Sequence, residues 1–160
     1  MSTVYLGLGT NMGDRLLNLQ RAVESLEPAV KITVVSPIYE TRAWGIENQP
    51  DFLNMCAVGI THLAPLALLR TLKELENQLG REPGERWGPR LIDIDILFYD
   101  DLIVNEAELT IPHKGIADRA TVLVPLCDIA PHWVHPVLRR KIEDLLVDVD
   151  SAGVWPYSSV

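Results

Sequence analysis

The residues best suited to chemistry lie in one stretch, Arg86 to Phe98, which reads Arg-Trp-Gly-Pro-Arg-Leu-Ile-Asp-Ile-Asp-Ile-Leu-Phe. The alternation of a β-strand places Asp93 and Asp95 on one face, about 7 Å apart at Cα, and the isoleucines on the other. Aspartate is disfavoured in strands and costly to bury unpaired, so a position in a cleft requires Mg²⁺ or neighbouring arginines. The pattern therefore predicts either a divalent-metal site or ion pairs with the neighbouring Arg86 and Arg90. The alternative is a solvated face on a half-exposed strand.

Basic side chains cluster on both sides of these aspartates, although the chain is acidic overall. The net charge of −8 at pH 7 argues against a general nucleic-acid-binding surface. A confined cationic pocket suits phosphate oxygens, because the guanidinium group is a planar, bidentate donor. The alternative is surface arginine paired with nearby carboxylates. The side chains concerned are Arg81, Arg86, Arg90, Lys114 and Arg119.

Two side chains of another predicted strand have the spacing of a heterocycle-binding site. Phe52 and Asn54 share strand parity, so the ring and the amide face the same way. The ring can stack on a planar heterocycle while the amide donates and accepts hydrogen bonds at an amino/oxo edge. The alternative places Phe52 in the core and pairs Asn54 with local backbone. His113 lies between this strand and Arg119 in the sequence and belongs to no obvious cluster of functional residues. Its side chain is suited to bind phosphate, ligate metal or cap a helix.

The glycines near the N-terminus do not form a dinucleotide-binding fingerprint. The glycine-containing stretch 7–13 runs from the end of a strand toward the start of a helix, but its third glycine falls at position 13 and not at position 12. We expect these glycines to permit a tight turn or a close approach of the backbone to another strand or a ligand.

The elements needed to position these residues follow from hydrophobic periodicity. The first hundred residues read β-α-β-β-α-β, which is typical of an α+β, ferredoxin-like fold with one antiparallel sheet. Loops are predicted at residues 40–51, around Trp44, and at residues 81–89, around Trp87, where Gly and Pro indicate a mobile flap. The predicted strands are residues 3–9, 30–39 with a break at Pro37, 52–61, 92–98 and 102–104, and the predicted helices are residues 14–27, 65–79, 117–126 and 138–147, ahead of an irregular tail.

Length and composition predict one domain spanning residues 1–160. A chain of this size buries about 70% of its unfolded surface without disulfides or structural metal. Cys56 and Cys127 lie in apolar runs without a Cys-x-x-Cys partner, which predicts buried, reduced thiols. Because no signal sequence or transmembrane span is recognisable, we expect a cytoplasmic protein that does not bind membrane. We also expect a monomer, and the acidic charge argues against binding to nucleic acid.

The chain resembles the 6-hydroxymethyl-7,8-dihydropterin pyrophosphokinase family of folate biosynthesis over nearly its whole length. The most specific match is the Arg-Trp-Gly-Pro-Arg block with its paired aspartates. The matching blocks are residues 8–11 with 13–14, 49–54, 80–81, 86–90, 92–96, and 111–113 through Arg119 to 124–126.

This resemblance implies roles for individual side chains. Asp93 and Asp95 would bind two Mg²⁺ ions that bridge the phosphates of ATP and the substrate. Contacts to the triphosphate are implied for Arg81, Arg90, His113 and Arg119, and closure of the flap for Trp87. The implied pterin-binding residues are Phe52, Asn54, Thr41 and Trp44, and those against adenine or ribose are Ile96, Leu109 and Thr110. The implied fold is a three-layer α-β-α sandwich on a ferredoxin-like core, in agreement with the predicted strand order.

The implied reaction is transfer of pyrophosphate from ATP to the hydroxymethyl group of the pterin, with in-line attack on the β-phosphorus and release of AMP. Asp95 is the candidate general base. The chain departs from the family at Thr121, where a second aromatic ring is usual, and at Pro83, where the flap commonly bears another arginine. Two other functions remain open: a different metal-dependent phosphoryl-transfer or phosphohydrolase enzyme, and a non-catalytic nucleotide- or pterin-binding module.

Overall fold

A computed structural model of the chain describes residues 1–42, 50–80 and 91–158. The strands are β1 (Ser2–Thr10), β2 (Val30–Val35), β3 (Tyr39–Thr41), β4 (Phe52–Thr61), β5 (Asp93–Tyr99), β6 (Val104–Asn105), β7 (Thr110–Ile111) and β8 (Val154–Pro156). The α-helices are α1 (Arg15–Ser25), α2 (Pro65–Gly80), α3 (Ala120–Ile129) and α4 (Ile142–Val147), with a 3₁₀ turn at Ile116–Asp118.

One antiparallel sheet of six strands forms the middle layer. β1 pairs with the edge strand β5 on one side and with β4 on the other, and β4 pairs in turn with both β2 and β3. The break between β2 and β3 falls at Pro37, as the sequence predicts, because proline lacks the amide hydrogen that a ladder requires. The predicted α+β, ferredoxin-like fold is confirmed.

Helices cover both faces of this sheet. On one face, α1 and α2 contribute Leu19 and Leu72 to a core shared with Leu6 and Ile94 of the sheet. The opposite face carries a second core, in which α3 and α4 pack on the aromatic group formed by Tyr5, Phe98 and Trp133. The result is the three-layer α-β-α arrangement.

The turn between β1 and α1 has the predicted helix cap. Gly13 adopts a φ of +63°, a region that favours glycine. The Asp14 carboxylate then accepts a hydrogen bond from the amide of Leu17, at 3.1 Å, which satisfies one of the free amides at the start of α1.

Several predictions about the C-terminal third of the chain were wrong. The segment predicted as a helix from Ala117 is interrupted at Arg119, whose extended backbone separates the 3₁₀ turn from α3. The last helix starts at Ile142 and not near Leu138. The tail is not irregular, since β8 pairs with β3. Cys56 is buried as predicted, but Cys127 on α3 is only partly buried.

None of the described helices is both long and apolar enough to cross a lipid bilayer.

Gly59 allows β2 to approach β4, and we expect Gly59→Ala to destabilise the fold. An added Cβ would lie 2.5 Å from Val30 Cγ1 and 2.8 Å from the carbonyl oxygen of Lys31, so the strand backbone would have to shift. Overpacking of this kind costs about 2 kcal/mol, which corresponds to a melting temperature lower by roughly 4–8 °C in calorimetry. Gly153→Ala is the matched control, because a Cβ there has no neighbour within 4 Å. Equal melting temperatures for the two variants would contradict this packing argument.

Candidate active site

An open cavity of about 150 Å³ lies on the face of the sheet that carries α3, where three strands and the start of that helix meet. β1 provides the floor, β4 one wall and β5 the other. The loop before α3 contributes the cationic side. The polar and aromatic side chains that line it are Phe52, Asn54, Asp93, Asp95, His113, Arg119 and Thr121.

The two aspartates line this cavity from one face of β5, as predicted from strand parity. Asp93 is exposed and the Asp95 side chain retains 46% of its accessible surface, whereas Ile94 between them is buried in the opposite core. Carboxylates with this exposure at a cleft remain accessible to a cation and a phosphate. The alternative of a solvated strand face is excluded, because the Asp93 and Asp95 side chains both border one concave site.

Glycines of β1 make room beside the carboxylates. In the sheet register, Gly9 lies opposite Asp93 and Gly7 opposite Asp95. On the other edge of β1, Gly9 pairs with Asn54, and a Cβ on Gly9 would lie 2.8 Å from the Asn54 side-chain oxygen. The prediction that these glycines permit a close approach is confirmed, although the sequence did not indicate that they form the floor of this cavity.

His113 is fixed so that one ring nitrogen faces the aspartates. Its backbone amide donates to the carbonyl of Leu97 at 3.1 Å, and its Nδ1 accepts from the amide of Gly115 at 3.1 Å. With Nδ1 as acceptor, the proton of the neutral ring resides on Nε2. Nε2 lies 4.0 Å from Asp95 Oδ2. His113 therefore presents a hydrogen-bond donor to an anion bound beside Asp95.

The carboxylate pair fits Mg²⁺ that is shared with a phosphate ligand. Mg²⁺ is commonly held by one or two carboxylates, with waters and substrate phosphates completing an octahedron of oxygens. Within the described ranges, no three or more His, Cys, Asp or Glu side chains form a metal-binding group. Asp93 and Asp95 therefore suit a metal that arrives with a nucleotide better than a metal enclosed by protein alone.

The aromatic and amide side chains of β4 face the same cavity. Phe52 is half-buried, and the Asn54 amide donates to the hydroxyl of buried Thr41 at 3.3 Å. Thr41 lies opposite Phe52 in the β3–β4 register. These contacts favour the heterocycle-binding interpretation over the one with Phe52 in the core and Asn54 bound to local backbone.

A second cavity, of about 360 Å³, lies on the other side of β5. It contains the predicted nucleotide residues Ile96, Leu109 and Thr110. Asp95 and His113 line both cavities, so the edge of β5 joins them. An elongated ligand with a phosphate chain would cross between the cavities at these two residues. Lys73 of α2, which sequence reasoning missed, also lines the second cavity, where its ammonium group pairs with Glu76 at 3.1 Å.

The start of α3 closes the first cavity. Arg119 precedes the helix in an extended conformation and is exposed, with its side chain beside the cavity. Thr121 lies in the first turn. Both also line a side pocket of about 340 Å³ that includes Thr41 and Val154 of β8. A threonine at this position therefore leaves open space where a larger side chain would form a wall.

Cys56 also lines the cavity but is not a nucleophile. Burial, with a contribution from the charge of Asp128, raises the pKa of its thiol well above the usual range. The protonated thiol is unreactive. Four predicted site residues, Trp44, Arg81, Trp87 and Arg90, lie outside the described residues, as does Pro83.

Comparison with known proteins gives a consistent result. A family model described as 7,8-dihydro-6-hydroxymethylpterin-pyrophosphokinase (HPPK) matches residues 5–131. The chain is 42% identical over 144 residues to the 2-amino-4-hydroxy-6-hydroxymethyldihydropteridine pyrophosphokinase of Aquifex aeolicus, covering 90% of each chain. It is 44% identical over 153 residues to the Synechocystis protein of the same name, covering 94% of this chain and 78% of that one.

Solved structures support the fold. The wild-type HPPK-DHPS of Plasmodium falciparum aligns with a TM-score of 0.72 at 20% identity, over 92% of this chain and 43% of that longer chain. At this identity the likeness concerns the fold alone.

Proposed function

The chain belongs to the 7,8-dihydro-6-hydroxymethylpterin-pyrophosphokinase family and is an ATP-dependent diphosphokinase of folate synthesis; we propose that its two joined cavities hold the pterin and ATP. The pterin would occupy the cavity with Phe52 and Asn54, and the nucleoside of ATP the cavity with Ile96 and Leu109. The observation that carries this proposal is that Asp95 and His113 line both cavities, where the reacting phosphate must lie.

The side chains of the first cavity would orient the acceptor. The Phe52 ring stacks on the pterin, and the Asn54 amide bonds its amino/oxo edge, which points the hydroxymethyl group toward β5. The alcohol oxygen then attacks the β-phosphorus in line, AMP leaves, and the pterin diphosphate forms. Asp95 is the group on β5 best placed to receive the alcohol proton. Most of the catalysis is positioning of two ligands in one arrangement.

The negative charge of the phosphates would be offset by metal ions on the side of β5 and by protein side chains on the side of α3. We propose that Asp93 and Asp95 hold two Mg²⁺ ions, which supply positive charge and orientation to the phosphate oxygens. His113 and Arg119 donate hydrogen bonds to the same oxygens from the side of α3. Arg81, Arg90 and Trp87, by their match to the family, would complete the set of residues around the phosphate groups. We also propose that the protein acts as a cytoplasmic monomer on these small molecules.

Product analysis tests the reaction. The protein is incubated with Mg²⁺, ATP and 6-hydroxymethyl-7,8-dihydropterin, and AMP is separated from ADP. We expect AMP in amounts equal to the pterin consumed, and none when the pterin is omitted. ADP as the product, or ATP turnover without the pterin, would indicate another phosphoryl-transfer enzyme. Binding of both ligands without AMP would indicate a non-catalytic module.

Thr121→Phe is expected to tighten pterin binding. The present side chain leaves the side pocket open, and an aromatic ring there would stack on the face of the pterin opposite Phe52. An aromatic pair adds about 0.5–1.5 kcal/mol, which lowers the dissociation constant measured by calorimetry roughly two- to tenfold. Val147→Phe, on an exposed face of α4, is the control. Unchanged or weaker binding would mean that another side chain already occupies this place.

A further inference from the structure

A single guanidinium group joins the chain segments that carry Thr41 and Phe52, two of the residues proposed to bind the pterin. Nη1 of Arg15, the first residue of α1, lies 2.5 Å from Glu40 Oε2 and donates to the backbone carbonyl of Asp51 at 2.8 Å. Glu40 directly precedes Thr41, and Asp51 directly precedes Phe52. Arg15 therefore binds the immediate neighbours of two residues that the proposed function assigns to the pterin.

The contacts lie behind the pterin-binding face. Residues alternate along β3, so the side chain of Glu40 points to the α1 face of the sheet while Thr41 points to the cavity. The Arg15 and Glu40 side chains keep only 24% and 20% of their accessible surface. A partly buried ion pair with several hydrogen bonds is stronger and better ordered than a pair on the open surface. Arg15 does not line the cavity, so any effect on the ligand must act through the backbone.

The C-terminal segment contacts the same ion pair of Arg15 and Glu40. The indole nitrogen of Trp155 in β8 donates to Glu40 Oε1 at 3.4 Å, and the Arg15 guanidinium lies 5.7 Å from the centre of the Tyr157 ring. β8 in turn pairs with β3. A strand of three residues such as β3 has few ladder hydrogen bonds of its own, so these side-chain contacts decide how firmly it is held.

We propose that Arg15 is a positioning residue of the pterin site, which fixes Thr41 against Phe52 by binding Glu40 and Asp51 together. This inference rests on the proposed function, because it concerns the affinity for the pterin and not the reaction itself. Loss of the Arg15 guanidinium group relaxes β3 and the first residue of β4, and Thr41 separates from Phe52. Arg15 is not among the described residues that line the second cavity, so that cavity keeps its affinity for the nucleotide.

The test compares Arg15→Met with Arg21→Met, an exposed position on the same helix. We expect Arg15→Met to raise the KM for the pterin about tenfold or more, with kcat and the KM for ATP within about twofold of the unmodified protein. Arg15→Lys keeps the charge but cannot reproduce the planar fork, so it should restore the KM only in part. Arg21→Met should change none of these values.

A purely structural role of Arg15 predicts different changes in the measured quantities. It would lower the melting temperature and shift the KM for ATP and for the pterin together, and that result would overturn the inference. An unchanged KM for the pterin would overturn it while leaving the proposed function intact. Amide hydrogen exchange in β3 and at the start of β4, expected to be about tenfold faster in Arg15→Met, requires no turnover. Absence of AMP in the reaction of the unmodified protein would contradict the proposed function. Unchanged amide hydrogen exchange in Arg15→Met would contradict the positioning role of Arg15.

Discussion

Replacing Asp95 with alanine is expected to lower the rate of AMP release about 10³-fold, which corresponds to about 4 kcal/mol of lost transition-state stabilisation. The reason is geometric, because Asp95 lines both cavities and faces His113 across 4.0 Å. Its loss removes a metal ligand and the proton acceptor at the point where the two substrates meet. The measurement is single-turnover formation of AMP at saturating ATP and pterin, which excludes effects on binding.

Two further variants make this result specific. Asp95→Asn has nearly the same volume and should be almost as inactive, because the amide carries no charge to hold Mg²⁺. Asp101→Asn removes an equal charge from an exposed turn and should retain full activity. If Asp95→Ala retained turnover near that of the unmodified protein, the assignment of the metal site to β5 would be wrong.

The second large effect is expected at Asn54. Asn54→Leu preserves the size of the side chain but removes the amide that recognises the amino/oxo edge of the pterin. Two polar groups of the bound pterin left without partners cost about 3 kcal/mol together, so the KM for the pterin should rise about 10²-fold. The KM for ATP should not change, because Asn54 lies in the first cavity only. Steady-state kinetics with each substrate varied in turn gives both values.

Gly9→Ala tests the same contact from the neighbouring strand. The added methyl group would displace the Asn54 side-chain oxygen, which lies 2.8 Å from its position. We expect a smaller loss of pterin affinity than in Asn54→Leu, since the amide is moved and not removed.

Asn105→Leu, an exposed position on β6, is the control for the change of side chain in Asn54→Leu. Equal KM values for Asn54→Leu and Asn105→Leu would contradict the assignment of the pterin cavity.

The parts of the site that the sequence predicted are those governed by local periodicity. Asp93 and Asp95 share a face because strand residues alternate, and the same rule brings Phe52 and Asn54 together. Thr41 had no such signal. It belongs to a strand of three residues, and only the resemblance to a family indicated its role.

The parts that sequence reasoning missed depend on contacts between distant segments. Val154 and its neighbours become a strand only by pairing with β3, more than a hundred residues earlier. The start of the last helix was misplaced because the ring of His135 accepts hydrogen bonds from the amides of Val137 and Leu138 and holds a turn there. Arg15 shows no pattern in the sequence that would connect it with Glu40.

The most direct test of the account is to locate the metal. A crystal of the protein with Mn²⁺, α,β-methylene-ATP and the pterin would show anomalous scattering from each bound ion. We predict two peaks beside the carboxylates of Asp93 and Asp95, between the two cavities. Peaks elsewhere, or these two carboxylates turned away from the phosphates with no ion between them, would contradict the proposed mechanism.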